Sequence, residues 1–415
     1  MSQTIAEKII SQHAGTTVRA GDIAIVPVDG AMATDATAPL AIQAFREMGG
    51  TRLWDAANFS LVLDHATPAP NERVANLHEL IRAFARETGC MLYDVGEGIC
   101  HQLMVENGHV KPHDIFIGAD SHTLTYGALG AFAAGMGSTD LAAIMLTGQT
   151  WLKVPRSIKI VLNGRLPTGV VAKDVILYLV GRLGISGATY EAVEFMGTAV
   201  HNLSLASRMT LANMVAEMGA KAGLVDTMGL QLPYEFESVK PESDASYRAI
   251  YEYDVSTLRP QIALPHSPDK VVDIDEAVGQ KVSMAFIGSC TNGRLEDWQE
   301  AARVLEGQKL APGVRLIMAP ASRAVFNAAL RDGTAAILSA AGATFITSGC
   351  GPCVGTHQGI PGNDEVVISS TNRNFRGRMG NPNSQVYLAS PAVVAATAVA
   401  GEIIDPKEVG IVRRT

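Results

Sequence analysis

Cysteine spacing gives the first indication of chemistry in this sequence. Cys350 and Cys353 lie three positions apart in the segment SGCGPCVGTHQG, and Cys290 lies in FIGSCTNGR. Both segments follow apolar runs that are typical of strands, so the three thiols can meet at neighbouring strand ends of an α/β sheet. We expect no fourth cysteine near this group.

Three thiols at one site are compatible with several kinds of chemistry. A redox dithiol needs only the pair at 350 and 353, and a structural zinc ion needs four ligands, for which His357 is a possible fourth. An iron-sulfur cube held by three cysteines leaves one iron open as a Lewis acid for a substrate hydroxyl and carboxylate. Ordinary burial of small residues in tight turns is the alternative without chemistry. The cysteines by themselves leave all of these open.

Histidines and aspartates end three predicted strands in the first part of the chain. A carboxylate beside an imidazole can keep the imidazole protonated near neutral pH, which suits it to general acid catalysis. One such histidine is equally well explained by a hydrogen-bonded turn or core position. Three at successive strand ends indicate a site. They are Asp64 and His65 in LDHATPAP, His101 in GEGICHQ, and Asp120 and His122 in GADSHT.

Arginine and asparagine side chains follow a later predicted strand. In SSTNRNFRGRMG, which is preceded by EVVI, the candidates are Asn372, Arg373 and Arg378. Since guanidinium groups bind carboxylates through two parallel hydrogen bonds, this segment predicts an acidic small-molecule substrate. Arg376 is better explained by an exposed loop.

The composition restricts the class of protein. The chain has 415 residues, of which 47% are hydrophobic and 18% charged, and its formal net charge is -8. These values are typical of a compact globular protein and argue against a nucleic-acid or anionic-membrane partner. The five cysteines are too few and odd in number for a disulfide framework. With no spanning segment and no signal-peptide pattern, we expect a cytoplasmic protein.

The elements that must position these residues alternate between strand and helix patterns. We predict an α/β fold of three domains: residues 1–155 with the His and Asp segments, residues 156–272, and residues 273–415 with the cysteines and NRNFRGR. In open α/β sheets, ligands bind at the carboxyl ends of strands, which is where the candidate residues lie.

Four motifs in order, GADSHT, GSCTNGR, GCGPC and TNRNFRGRMG, resemble those of the aconitase family, and the similarity extends over essentially the whole chain. The resemblance implies three α/β domains around a 4Fe-4S cluster that Cys290, Cys350 and Cys353 hold, with one iron not bound by cysteine. It also implies a hydro-lyase that isomerises a hydroxy acid by dehydration and rehydration. Isopropylmalate, in leucine biosynthesis, is the first expected substrate, and homocitrate, citramalate and dimethylmalate are the others. A cluster-free RNA-binding relative and a zinc-stabilised assembly subunit are the alternatives without this chemistry.

The resemblance further implies roles for individual residues. His65, paired with Asp64, matches the acid that protonates the leaving hydroxyl. Asn372 and Arg373 match positions near cluster and substrate, and Arg378 matches an arginine that binds a substrate carboxylate. The residues that match those positioning the iron-bound hydroxyl or water are His101, Asp120, His122 and Glu194, the last in YEAVEFMG.

Two departures from the family pattern have consequences. Thr34 stands where relatives usually carry a longer His, Asn or Gln, at a position that bears on which acid is accepted. In single-chain members a swivelling domain supplies a serine base and further arginines, and no domain-sized segment follows residue 415. We therefore expect a partner, a small subunit that carries the serine base and the substrate-recognition loop.

Overall fold

The computed structural model describes residues 2–409. Within this range the strands are β1 (Ile23–Pro27), β2 (Gly30–Thr34), β3 (Phe59–Val62), β4 (Met91–Tyr93), β5 (Ile115–Gly118), β6 (Phe132–Gly135), β7 (Gln149–Lys153), β8 (Ser157–Asn163), β9 (Ala192–Met196), β10 (Ala222–Val225), β11 (Ala249–Asp254), β12 (Gln261–Ala263), β13 (Val271–Asp273), β14 (Met284–Ile287), β15 (Arg315–Met318), β16 (Thr344–Phe345), β17 (Val366–Ser369) and β18 (Gln385–Leu388). The α-helices are α1 (Ile5–Ala14), α2 (Ala38–Glu47), α3 (Glu72–Thr88), α4 (Cys100–Glu106), α5 (Ser138–Thr147), α6 (Ala172–Leu183), α7 (Thr198–His201), α8 (Leu205–Met214), α9 (Ser289–Asn292), α10 (Leu295–Leu305), α11 (Arg323–Arg331), α12 (Thr334–Ala341) and α13 (Pro391–Ala400). Shorter 3-10 helices span Ser121–Leu129, Val215–Met218, Ile274–Glu276, Gly351–Val354 and Pro406–Glu408.

The first sheet has five parallel strands in the order β4-β3-β2-β5-β6. Strands β2, β3 and β5 are buried along their whole length. Parallel strands are joined by crossovers that cover both faces of the sheet, which explains why these strands are continuous apolar runs. The acidic residues Asp35, Asp64 and Asp120 follow the carboxyl ends of β2, β3 and β5, which lie on the same side of the parallel sheet.

The second sheet has four parallel strands in the order β10-β9-β8-β11. Helices α6 and α8 pack together beside it. The guanidinium of Arg208 in α8 is fully buried and donates to the carbonyl oxygens of Leu203, Asp226 and Met228. These bonds satisfy the buried charge and fix the chain where it leaves β10.

The third sheet has seven strands in the order β13-β12-β18-β17-β14-β15-β16. Strands β14 to β18 pair in parallel, whereas β12 pairs antiparallel with β13 and β18. The boundary that we predict at residue 272 therefore cuts through this sheet. Cys290, Cys350 and Asn372 follow β14, β16 and β17. The α/β class is confirmed, and the division into domains remains a prediction.

The helices are mostly short and lie against these sheets. The longest, α3, has 17 residues; the Asn71 side chain accepts from the N–H of Val74 at its start, and Gly89 ends it in the left-handed conformation. A further antiparallel pair, β1 with β7, forms a two-stranded ribbon. Among the described residues, no helix combines the length and apolar character that a membrane crossing requires.

Candidate active site

A cleft of about 630 Å³ lies between the carboxyl ends of the first and third sheets. Asp64 is fully buried beside it, in contact with His65. Thr34 does not line the cleft; it is buried at the end of β2, where its hydroxyl lies 3.3 Å from Thr37 Oγ1. The candidate residues that line the cleft are His65, His101, Asp120, His122, Cys290, Cys350, Cys353, Asn372, Arg373 and Arg378.

His65 is held between two carboxylates. Its Nδ1 lies 2.7 Å from Oδ1 of Asp64, and its Nε2 lies 3.4 Å from Oδ2 of Asp120. Burial disfavours the imidazolium, but interactions with Cys350 and with these carboxylates outweigh burial and raise the pKa of His65 well above 6.5. His65 therefore carries a proton that it can donate into the cleft.

Asp120 joins the histidines into one network. Its Oδ1 lies 2.7 Å from Nε2 of His101 and accepts the backbone N–H of His122 at 2.7 Å, because Asp120 is the N-cap of the 3-10 helix that carries His122. Burial opposes ionisation, but His101 and the other two histidines hold the pKa of Asp120 well below 3.8. The network keeps a negative charge beside the protonated His65.

Glu194 does not reach this cleft. It is fully buried in β9, and its carboxylate accepts from the backbone N–H groups of Ile5 and Ala6 at 3.2 and 3.1 Å, and from Ser157 and Tyr247. A carboxylate at a helix N-terminus satisfies donors that have no partner within the helix. The structure thus contradicts the prediction that Glu194 positions the iron-bound hydroxyl or water, because this residue caps α1 outside the cleft.

Glu217 is the glutamate that reaches the site, and the sequence prediction missed it. Its Oε1 lies 3.0 Å from Nε2 of His122 and accepts from Nε of Arg373 at 2.9 Å. Burial would raise the pKa of Glu217, but His122 and Arg373 outweigh burial and lower it. The only sequence signal was an acid inside the apolar segment ANMVAEMGA. Glu217 thus fixes one histidine and one arginine of the cleft.

We expect Glu217→Gln to lower turnover about a hundredfold, because misplacement of a binding group by about 1 Å costs on that scale. Glu194→Gln is the matched control: it removes an equally buried carboxylate that lies outside the cleft. Steady-state turnover of both variants, together with their thermal midpoints, checks the assignment. A larger loss of turnover in Glu194→Gln than in Glu217→Gln would contradict it.

Asp35 is a second residue that sequence reasoning passed over. Its carboxylate accepts the backbone N–H groups of Asp64, His65 and Ala66 at 3.2, 2.8 and 2.8 Å. Burial opposes ionisation, but His78, His65 and these backbone donors lower the pKa of Asp35 to about 2. We call residues 64–67 the acid loop, and Asp35 fixes its conformation.

The segment 347–358, here called the thiol loop, is bonded to the acid loop. The N–H of Cys350 donates to the carbonyl of Asp64 at 2.8 Å, and Thr356 Oγ1 donates to the carbonyl of His65 at 3.1 Å. Two more side chains, His357 and Gln358, contact the carbonyl oxygen of Thr67 at 2.7 and 3.0 Å. A Cβ atom at Gly349 would lie 2.9 Å from the Asp64 carbonyl oxygen, so the close approach of the loops requires glycine here.

The three cleft thiols are buried, and two amide donors contact one of them. The side-chain amide of Asn213 donates to Sγ of Cys290 at 3.2 Å, and that of Asn372 does so at 3.6 Å. Burial raises the pKa of Cys290 to about 12. A metal that binds here would displace the thiol protons, and the two amide donors would then stabilise the thiolate sulfur of Cys290.

These residues fit a three-cysteine iron-sulfur cluster better than a four-ligand zinc site. His357, the possible fourth zinc ligand, does not line the cleft and uses Nε2 on the Thr67 carbonyl. The expectation of no fourth cysteine nearby is wrong, since Cys100 packs in the same buried cluster as Cys290 and Cys350. Cys100 is fully buried and does not line the cleft, so the cleft offers three thiols.

The cleft thus combines a proton-bearing histidine with three thiols and two arginines. This arrangement is typical of a lyase that acts on an acidic molecule at a metal centre. Comparison with known proteins agrees. The model of the "Aconitase family (aconitate hydratase)" matches residues 7–234 and 230–401, and the chain belongs to this family. It is therefore an enzyme of the hydro-lyase class, and the family implies an iron-sulfur cluster.

Relatives match over nearly the whole length. The chain is 48% identical over 415 residues to "3-isopropylmalate dehydratase large subunit 1" of Methanopyrus kandleri, covering 98% of this chain and 99% of the relative. It is 49% identical over 393 residues to "Probable methanogen homoaconitase large subunit" of Methanosarcina mazei, covering 93% and 100%. The crystal structure of Thermococcus kodakaraensis aconitase X shares the fold, with a TM-score of 0.51, 16% identity and 84% of each chain covered.

Proposed function

We propose that this chain is the catalytic large subunit of a hydro-lyase that converts 2-isopropylmalate to 3-isopropylmalate by dehydration and rehydration. The observation that carries the proposal is the pairing of His65 with Asp64 in a cleft that also contains three thiols, Arg373 and Arg378. The near full-length similarity to proteins named 3-isopropylmalate dehydratase large subunits supports it.

The proposed cofactor is one 4Fe-4S cluster with Cys290, Cys350 and Cys353 as its protein ligands. When bound, such a cluster supplies a Lewis-acidic iron, not held by cysteine, to the substrate hydroxyl. Asn213 and Asn372 support the assignment, because amide donors at 3.2 and 3.6 Å from Sγ of Cys290 suit a thiolate ligand.

The side chains of the cleft then have complementary tasks. His65 donates the proton on Nε2 to the leaving hydroxyl, while Asp64 holds its Nδ1. His101 and His122 orient Asp120 and Glu217. Arg373 uses Nε for Glu217, which leaves its terminal nitrogens for a substrate carboxylate, and Arg378 is proposed to bind another. A substrate held at two carboxylates has its hydroxyl fixed near the acid.

The base is the part that this cleft lacks. Ser121 and Ser289 line the cleft, but each adjoins a residue with another proposed task, Asp120 or Cys290. Removal of a proton from the other side of the substrate needs a base there. We propose that a small subunit supplies it as a serine, in a heterodimer, and that a loop of that subunit reads the remaining substituent. The term "large subunit" in the names of the relatives supports a partner.

The apolar wall of the cleft favours an alkyl-substituted acid. Pro39, Leu40, Val74, Leu77 and Val354 line it together with the polar groups. Burying an isopropyl group against such a wall is favourable. The homoaconitase reaction is the second candidate, because one relative at 49% identity carries that name.

The test is an anaerobic assay of the cluster-reconstituted chain with its candidate small subunit. Isopropylmalate, homocitrate, citramalate and dimethylmalate are compared by kcat/KM. We expect isopropylmalate to be preferred. Preference for homocitrate would replace the proposal by the second candidate, and no turnover of any of them would reject the hydro-lyase assignment to these acids.

His65→Ala should lower turnover by about a hundredfold to ten-thousandfold, the usual contribution of a positioned proton donor. Cluster content should fall far less, because His65 is not a proposed ligand. Turnover and iron per chain are measured on the same preparation. His109→Ala is the control, since His109 contacts the Tyr93 hydroxyl at 2.7 Å and lies outside the cleft. Equal losses of turnover and iron in His65→Ala would mean that His65 is structural.

A further inference from the structure

The ammonium group of Lys173 is a buried charge that the steps above do not use. Lys173 is the second residue of α6 and is fully buried. Its Nζ donates to the carbonyl oxygens of Ser370 and Thr371 at 2.7 and 2.5 Å. These two residues directly precede Asn372 and Arg373, so the lysine holds the end of the segment that carries both side chains into the cleft.

The same ammonium group also interacts with the segments that carry the thiols. Burial lowers the pKa of Lys173 to about 7, although Asp297, Cys353, Asp174 and Cys290 act in the opposite direction and favour its charged form. Asp297 in turn accepts from the Asn292 side chain at 2.8 Å and from the N–H of Arg294 at 2.9 Å, which fixes the chain after Cys290. Lys173 does not line the cleft, and its neighbours Ala172 and Val175 pack in the same buried cluster as Cys353, so the lysine lies close to the thiol-bearing segments.

The neighbouring acid does not explain this lysine. Asp174 directs its carboxylate to the backbone N–H groups of Gln261 and Val171, at 3.0 and 2.9 Å. A lysine buried only for packing would carry a large desolvation cost that an apolar side chain of the same length avoids. The charge and the two carbonyl contacts thus need a reason beyond packing.

We propose that Lys173 is a positioning residue: it fixes the Asn372–Arg373 segment for substrate and places a positive charge behind the thiolate-bound centre. The inference rests on the proposed hydro-lyase function and on the proposed ligand set. It assigns two effects to one group, which can be measured independently. Loss of the carbonyl contacts loosens the substrate arginine, and loss of the charge makes the centre harder to reduce, because a nearby cation stabilises the more negative state.

The test is Lys173→Met, which keeps the length of the side chain and removes the ammonium. We expect kcat/KM of the assembled enzyme to fall about a hundredfold, the scale for a misplaced binding group. The midpoint potential of the cluster, measured by EPR without substrate, should become more negative. Lys8→Met is the matched control, since Lys8 donates to the Lys240 carbonyl at the surface, and it should change neither quantity.

The proposal would be overturned if folded Lys173→Met had the midpoint potential of the parent and a kcat/KM within twofold of the parent value. The midpoint potential is measured without substrate, so it tests the role of Lys173 even if none of the acids turns over. Failure of the Lys173 proposal can therefore be distinguished from failure of the proposed function. Lys173→Gln, which keeps one donor, replaces the methionine variant if that variant does not fold. If neither variant folds, the unsubstituted chain is labelled with 15N-lysine, and the Nζ signal of Lys173 is followed by NMR during cluster assembly. A solvent-protected Nζ signal that shifts on cluster assembly supports the proposal, and an unshifted one contradicts it.

Discussion

Cys353→Ser should abolish turnover and remove most of the iron, while leaving the fold largely intact. Serine is close to cysteine in size, so the buried position beside Arg378 is not emptied. A hydroxyl, however, does not replace a thiolate as an iron ligand at neutral pH, and two cysteines hold a cube poorly. Iron and acid-labile sulfide per chain, visible absorbance and the thermal midpoint report the two effects separately.

Two other buried cysteines are controls for this variant. Cys100 packs with Cys290 and Cys350 but does not line the cleft, and Cys90 belongs to a different buried cluster. Cys100→Ser and Cys90→Ser should keep the iron content of the parent. A full complement of iron and activity in Cys353→Ser would show that the ligand assignment is wrong.

The chain alone should be nearly inactive after cluster reconstitution, and addition of the small subunit should restore turnover. A positioned base contributes about a hundredfold to ten-thousandfold, and we propose that the partner supplies it. A partner that closes the cleft would also exclude water and oxygen from it. Turnover at saturating isopropylmalate and the rate of cluster loss in air are measured with and without the partner.

An unrelated protein at equal concentration is the control for this mixing experiment, because it reproduces crowding without specific closure. It should leave both turnover and cluster loss unchanged. Full activity of the chain alone would contradict the two-chain arrangement and would direct the search for the base to residues 1–415.

Short sequence motifs predicted much of the site because each motif lies at the end of a single strand and can be recognised from neighbouring residues alone. Cys290 and Cys350 directly follow apolar runs, and strand ends of a parallel sheet meet at one edge, so their convergence could be inferred. The α/β class is confirmed, and so is the family, which the resemblance of four ordered motifs indicated. The roles proposed for the individual residues remain predictions.

The two glutamates show where such reasoning stops. Glu194 and Glu217 both lie in apolar segments, and nothing local distinguishes them. Their difference depends on which distant group each meets: Glu194 meets the start of α1, almost two hundred positions away in the chain, and Glu217 meets His122 and Arg373. Contacts between elements so far apart follow from the packing of whole sheets. The same reason explains why Asp35 and Lys173 escaped notice.

The bonds between the acid loop and the thiol loop have a consequence for motion. Four hydrogen bonds join residues 64–67 to residues 350–358, so His65 is held against the loop that carries Cys350 and Cys353. Any opening that admits or releases a molecule must then occur on the other side, where the second chain is proposed to lie. The proposed proton donor would then stay at a constant distance from Cys350 and Cys353 through each cycle, whereas the proposed proton acceptor would arrive and depart with the partner. Without its partner, the chain would thus hold the proton donor in place but lack the proton acceptor that the reaction requires.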